Sequence, residues 1–217
     1  MKSFLGIGFI IVAGLVLSGC VARDLETADV QFAAYNLVEP TTNTVTVCHG
    51  YNCRYKTQIN LSEDDFKGIN EIFAKAPPTA AGERTAMADA IGYLERIAGD
   101  IVGTANNPGG ILGNEYIGDP TRQDCIDEAS TATGYLVMLV KRGLVTRHQV
   151  AKPQMRGIFI DGRWQHAAAV VTETGSGEAF VLDSWFRPNG QPAVIMTLYD
   201  WLNDFEGVEA KQLPKTG

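Results

Sequence analysis

The chain has 217 residues with a formal net charge of −7, of which 45% are hydrophobic and 20% charged, an ordinary globular composition. An acidic chain without a basic run excludes nucleic acid as a partner. The length suits one domain with a real core.

The first nineteen residues read as a lipoprotein signal peptide. Lys2 is a short positive region, residues 4–17 are apolar and broken only by Gly, and Leu17-Ser18-Gly19-Cys20 reads as a lipobox. Cys20 is then the residue that is acylated and becomes the new N-terminus. The apolar run is too short and wrongly flanked for a membrane span. Val21 after the Cys, rather than Asp, points to a lipid anchor in an outer membrane, facing the periplasm, if the host is Gram-negative. Lys2 is the only charge removed with this segment, so the net charge becomes −8. Residues 20–43 read as a tether with little structure of its own. Residues 44–217 are read as a single α+β domain, with a hairpin and helices over 44–117 and a core over 118–205.

Three cysteines follow Cys20: Cys48, Cys53 and Cys125. An oxidising periplasm permits disulfides. Residues 44–48 and 54–61 are rich in β-branched side chains and predict a hairpin, with His49-Gly50-Tyr51-Asn52 as its turn. A Cys48–Cys53 bridge across that hairpin is the simplest pairing and leaves Cys125 as the odd thiol. Cys48–Cys125 and Cys53–Cys125 remain open. His49 reads as a turn residue.

Ser62 with Asp65 three residues on predicts a capped helix start. Phe66, Ile69 and Phe73 share its face, and Pro77-Pro78 ends it. A second helix is predicted over 82–102, with Met87, Ile91, Leu94, Ala98 and Ile101 as a core stripe. A Gly-rich polar loop follows over 103–120, a length that is often site-forming or mobile. It leads into Gln123-Asp124-Cys125-Ile126-Asp127-Glu128-Ala129. Asp124 caps a helix whose apolar face recurs at Ala129, Ala132, Leu136 and Leu139, and Arg142-Gly143 stops it. Cys125 therefore sits in a first helical turn, where the helix dipole favours a thiolate.

The pattern then changes to strands. His148 reads as a surface residue of a short connection. Strands are predicted over 157–161, 164–172, 179–185 and 193–198, with turns at Asp161-Gly162, near Gly175 and at 188–192. A short helix over 197–204 closes the chain. Helices first and a meander afterwards give α+β with an antiparallel sheet. A turn near Gly175 sets position 166 opposite 183–185. His166 and Asp183 become cross-strand neighbours, whereas a one-residue slip would part them to opposite faces. Both stand in apolar runs, where a polar side chain needs a partner. Cys125, His166 and Asp183 together have the logic of a nucleophile, a base and a group that orients the base.

Asp124-Cys125-Ile126-Asp127-Glu128-Ala129, Trp164-Gln165-His166-Ala167 and Val181-Leu182-Asp183-Ser184-Trp185 resemble the bacterial transglutaminase-like cysteine proteinase family over residues 118–205. The resemblance implies a papain-like or transglutaminase-like core, in which a Cys-bearing helix packs on an antiparallel sheet. It implies Cys125 as nucleophile, His166 as general acid/base and Asp183 as the orienting acid. Oxyanion donors would be the Cys125 backbone N–H and Gln123. Some relatives resemble calcium binders, with acids on both sides of the Cys. Here Asp124 precedes Cys125 but Ile126 follows it, so no metal and no cofactor are expected. The implied function is cleavage or transfer at amide bonds of a protein or peptide substrate in the cell envelope, peptidase ahead of acyltransferase. The alternative is a non-catalytic envelope lipoprotein that uses the same scaffold for binding.

Overall fold

The structure is a computed structural model that describes residues 25–111, 113–157 and 165–203. The signal segment and Cys20 lie outside the described residues. Among the described residues no helix is long and apolar enough to cross a membrane.

The chain is α+β, with helices and antiparallel strands. Helix α1 (Ala28–Ala34) precedes a hairpin of β1 (Thr44–His49) and β2 (Tyr55–Asn60), then α2 (Glu63–Lys75) and α3 (Ala80–Val102). Helix α4 (Cys125–Lys141) follows, then the strands β3 (His148–Arg156), β4 (His166–Glu173), β5 (Ala179–Asp183) and β6 (Val194–Thr197), and the short α5 (Leu198–Asn203). The four later strands form one sheet in sequential order.

Side-chain alternation buries β4 on both faces. Ala169, Val171 and Leu182 face the main core with Met87, Ile91 and Leu94 of α3 and Tyr135, Leu136 and Leu139 of α4. Ala168, Val170 and Val181 face Leu198 and Trp201 of α5. Ser62 and Asp65 form a reciprocal capping box at the start of α2. Ile101, expected on the core stripe of α3, is 56% exposed, and Val102 beside it packs on the core instead.

Residues 20–43 are not a bare tether. Ala28, Gln31 and Phe32 of α1 are buried, and Gln31 Nε2 donates to Ser130 Oγ at 2.7 Å. Thr27 bridges Ala151 in antiparallel fashion, so this segment covers part of β3.

The first strand of the sheet lies earlier than expected. Residues 148–156 form it, whereas most of 157–161 lies outside the described residues. Pro153 interrupts the apolar–polar alternation, and the register shifts between Ala151 and Gln154, where Pro lacks a ladder donor. His148 is correspondingly buried, not a surface residue. Its Nδ1 lies 2.8 Å from Glu83 Oε1 and its Nε2 3.2 Å from Arg84 Nη1.

The hairpin is closed by a Cys48–Cys53 disulfide, which leaves Cys125 free. His49 is buried at the end of β1 rather than in the turn, with Nδ1 2.7 Å from Pro120 O and Nε2 2.9 Å from Thr57 Oγ1. Four successive residues, Gly50, Tyr51, Asn52 and Cys53, have positive φ of 81°, 72°, 55° and 50°. Only Gly adopts this region without cost, so the turn depends on outside support. Replacing both Cys48 and Cys53 by Ser is expected to cost about 2–3 kcal/mol in urea unfolding, since loop closure and a strained turn are lost together. A change below about 0.5 kcal/mol would mean that the turn holds without the bridge.

Candidate active site

The support for that turn comes from α4. Asp127 Oδ2 accepts the Tyr51 N–H at 2.7 Å and Asp127 Oδ1 the Cys53 N–H at 2.6 Å, while Asp124 Oδ2 accepts the Asn52 N–H at 3.0 Å. Successive left-handed residues point their N–H groups the same way, and the two aspartates fill the concavity they make. Asp124 and Asp127 also form a capping box at the head of α4. The start of α4 is thus pinned to the disulfide loop. Cys48, Cys53 and Asp127 cluster closely, yet the two sulfurs are bonded to each other and the carboxylate is committed to N–H groups, so the cluster offers no thiolate ligand to a metal.

The Gly-rich loop closes the other side. Asn107 is buried; its Oδ1 accepts the Gln123 N–H at 3.0 Å and its Nδ2 donates to Glu128 Oε1 at 2.9 Å. The Gly110 N–H donates to Trp185 O at 2.7 Å. A cleft of about 550 Å³ opens between this loop, the hairpin turn and the head of α4. Ile111, Ile117, Ile126 and Trp185 give it apolar walls, and Cys125 and Gln165 line it as well. Across Ile126 lies a second depression of about 400 Å³, bordered by Tyr35, Pro153, Met155 and Ala167.

On the sheet, Ala169 pairs with Leu182 and Val170 with Val181, the register that brings positions 166 and 183 together. His166 Nε2 lies 2.7 Å from Asp183 Oδ2, and both side chains are buried. Trp201 Nε1–H donates to the same Oδ2 at 3.0 Å. The carboxylate accepts, so Nε2 carries the hydrogen and the neutral ring presents a lone pair at Nδ1. Among the described residues, Nδ1 is buried without a hydrogen-bond partner. The ring packs on Trp185, Phe186 and Trp201, with centroids 4.7, 5.3 and 5.7 Å away.

Cys125 packs against the same Trp185–Phe186 cluster. It meets main-chain atoms on either side of His166. Sγ–H points to Gln165 O at 3.9 Å, and the Ala167 N–H approaches the sulfur. No hydrogen bond joins Cys125 to His166 among the described residues. Sequence reasoning expected a thiol activated by the helix dipole. Instead, burial pushes the Cys125 thiol up to about 12, with the charges of Asp124, Asp183 and Glu128 acting the same way. Asp124, which caps α4, thus also sets negative charge beside the sulfur. Burial and these charges favour the thiol over the thiolate.

Gln123, expected as an oxyanion donor, is turned away. It is buried, and its Nε2 donates to Cys48 O at 2.9 Å, because that strand-end carbonyl would otherwise lack a donor.

Three residues of this region escaped the sequence reading. Asp127 and Glu128, acids of the first turn of α4, are both buried. Glu95 of α3 is buried too. A signal existed only for Glu128, since the apolar stripe of α4 begins at its neighbour Ala129. No family model, characterised protein or solved structure matches the chain.

Proposed function

We propose that this chain is a cysteine-dependent acyl hydrolase or acyltransferase of the papain-like and transglutaminase-like kind, acting at amide bonds of proteins or peptides, peptidase ahead of acyltransferase. The observation that carries the reading is the buried His166–Asp183 pair, with Nδ1 left unpartnered, on the aromatic cluster against which Cys125 also packs. In this reading the Cys125 sulfur attacks the carbonyl carbon and its proton passes to His166 Nδ1. Asp183 stabilises the imidazolium, which then protonates the departing amine. Water or a second amine resolves the thioester. The Cys125 backbone N–H, at the first position of α4, is the oxyanion donor left by the turned-away Gln123. The same reading places the protein in the envelope through lipid on Cys20. Radiolabelled palmitate is expected to enter the wild type and not Cys20→Ser, and equal incorporation rules the anchor out.

A neutral thiol makes this a base-assisted nucleophile rather than a preformed ion pair. Iodoacetamide is expected to label Cys125 slowly near pH 7 and faster as pH rises. Fast labelling near neutrality would show a preformed thiolate. The decisive test uses p-nitrophenyl acetate as acyl donor and intact-mass detection of a thioester. Wild type is expected to acylate at Cys125, His166→Ala about a hundredfold more slowly, and Cys125→Ala not at all. Equal rates in wild type and Cys125→Ala would leave the second reading, a non-catalytic binding scaffold, which the neutral thiol and its Gln165 O contact favour.

A further inference from the structure

Behind Cys125 and Asp183, two buried glutamates meet on one hydroxyl. Ser184, which follows Asp183, donates its hydroxyl to Glu128 Oε2 at 3.1 Å and also reaches Glu95. Glu95 Oε2 accepts the Gly190 N–H at 3.1 Å, and Glu128 Oε1 accepts from Asn107. A hydroxyl has one hydrogen. Once Ser184 donates to one carboxyl, the other completes the chain only by carrying a proton and donating to Ser184 Oγ. Two carboxylates this close and buried do not both ionise.

The surroundings favour the same state. Arg96 is the cation beside Glu95, and its Nη1 also serves Gly190 O at 2.5 Å. From β5 and α4, Asp183 and Asp127 face Glu128 as further negative groups. From α4, the Tyr135 hydroxyl, buried and unpartnered, faces Glu95. The thiol of Cys125 in turn feels the charge of Glu128.

We propose that Glu95 and Glu128 share a single proton across Ser184 and act as positioning residues, locking the end of β5 onto α4 and keeping a second negative charge away from Cys125. Glu128 stands one turn from Cys125 and Ser184 one residue from Asp183, so the relay joins the two elements that carry the site. The shared proton rests on the burial of both glutamates and on their common contact with Ser184; its effect on catalysis rests on Cys125 being the nucleophile proposed above.

Burial raises Glu95 to about 7 and Glu128 well above its ordinary value. A carboxyl with a raised folded pKa contributes stability that is fully present below its ordinary value of 4.5 and is lost as pH rises through about 7. One such group changes the unfolding equilibrium by up to about tenfold per pH unit across that window. Asp124 and Asp127 shift in the same direction, and Glu83 and Asp119 in the opposite one. The diagnostic quantity is therefore the difference between wild type and Glu95→Gln, which is expected to lose that share of the slope.

The test uses the full chain with 13C-labelled glutamate carboxyls, assigned through Glu95→Gln and Glu128→Gln. At least one of the two is expected to remain protonated near pH 6 in the wild type; both titrating in the ordinary carboxylate range would overturn the shared proton, even if neither variant folded. The pH midpoint of Cys125 alkylation by iodoacetamide supplies the positioning readout. Glu128→Gln removes the charge near the sulfur and is expected to move the midpoint down. Glu95→Gln confines the remaining charge to Glu128 and is expected to move it up. Shifts in one direction, or none, would overturn the positioning role. Both readouts need no acyl turnover, so they remain interpretable whether or not the acylation test succeeds.

Discussion

Asp127→Ala is expected to destabilise the chain by roughly 3–5 kcal/mol, a larger loss than from truncating any other single acid at the head of α4. Its two oxygens accept the Tyr51 and Cys53 N–H groups inside the protein, and Oδ2 also accepts the Asp124 N–H at 3.2 Å. Removing the carboxyl leaves these donors buried without an acceptor, in a turn whose positive φ values need support. Asp127→Asn keeps one acceptor oxygen and turns an amide N–H toward a backbone donor, so its cost falls between wild type and Ala. Burial and the Asp124 charge push Asp127 up to about 8, against the N–H groups that favour its anion. Urea unfolding of the three proteins checks the order. A loss under about 1 kcal/mol in Asp127→Ala would mean that the disulfide alone holds the turn.

Asp183 separates mechanism from packing. Asp183→Asn is expected to keep the fold, because an amide oxygen in place of Oδ2 still accepts from His166 Nε2 and Trp201 Nε1. It is expected to lose most acylation by p-nitrophenyl acetate, by on the order of a hundredfold or more, since an amide cannot stabilise imidazolium. Asp183→Ala strands two buried donors and is expected to cost a further roughly 2–4 kcal/mol in thermal unfolding. Wild-type acylation in Asp183→Asn would remove Asp183 from the chemistry and leave a structural hydrogen-bond acceptor.

The local features of the site were legible where a single element carries the signal. Asp124 and Asp127 around Cys125 announce a helix start, and α4 begins at Cys125. Thr174-Gly175-Ser176-Gly177 announces a turn, and the register it sets pairs β4 with β5 in the range that brings His166 to Asp183. The Cys48–Cys53 bridge was the simplest pairing across the hairpin, and the structure selects it over the two that sequence left open. Period, caps and turn chemistry act between near neighbours, so they can be read from one segment at a time.

Several misreadings concerned polar residues whose partners lie far along the chain. His148 meets Glu83 at a separation of 65 residues, Asp127 meets Tyr51 and Cys53 at 76 and 74, and Gln123 meets Cys48 at 75. From sequence such residues look like surface groups, because burying them alone would be unfavourable. The strand at residues 148–156 was hidden in the same way, since Pro153 breaks its alternation and only pairing with β4 reveals it. The ionisation of Cys125 shows the same division. Its place at a helix N-terminus was determined by the sequence and argues for a thiolate. The opposing push comes first from burial, which only the tertiary structure supplies, and the Asp183 charge from β5 adds to those of the sequence neighbours Asp124 and Glu128.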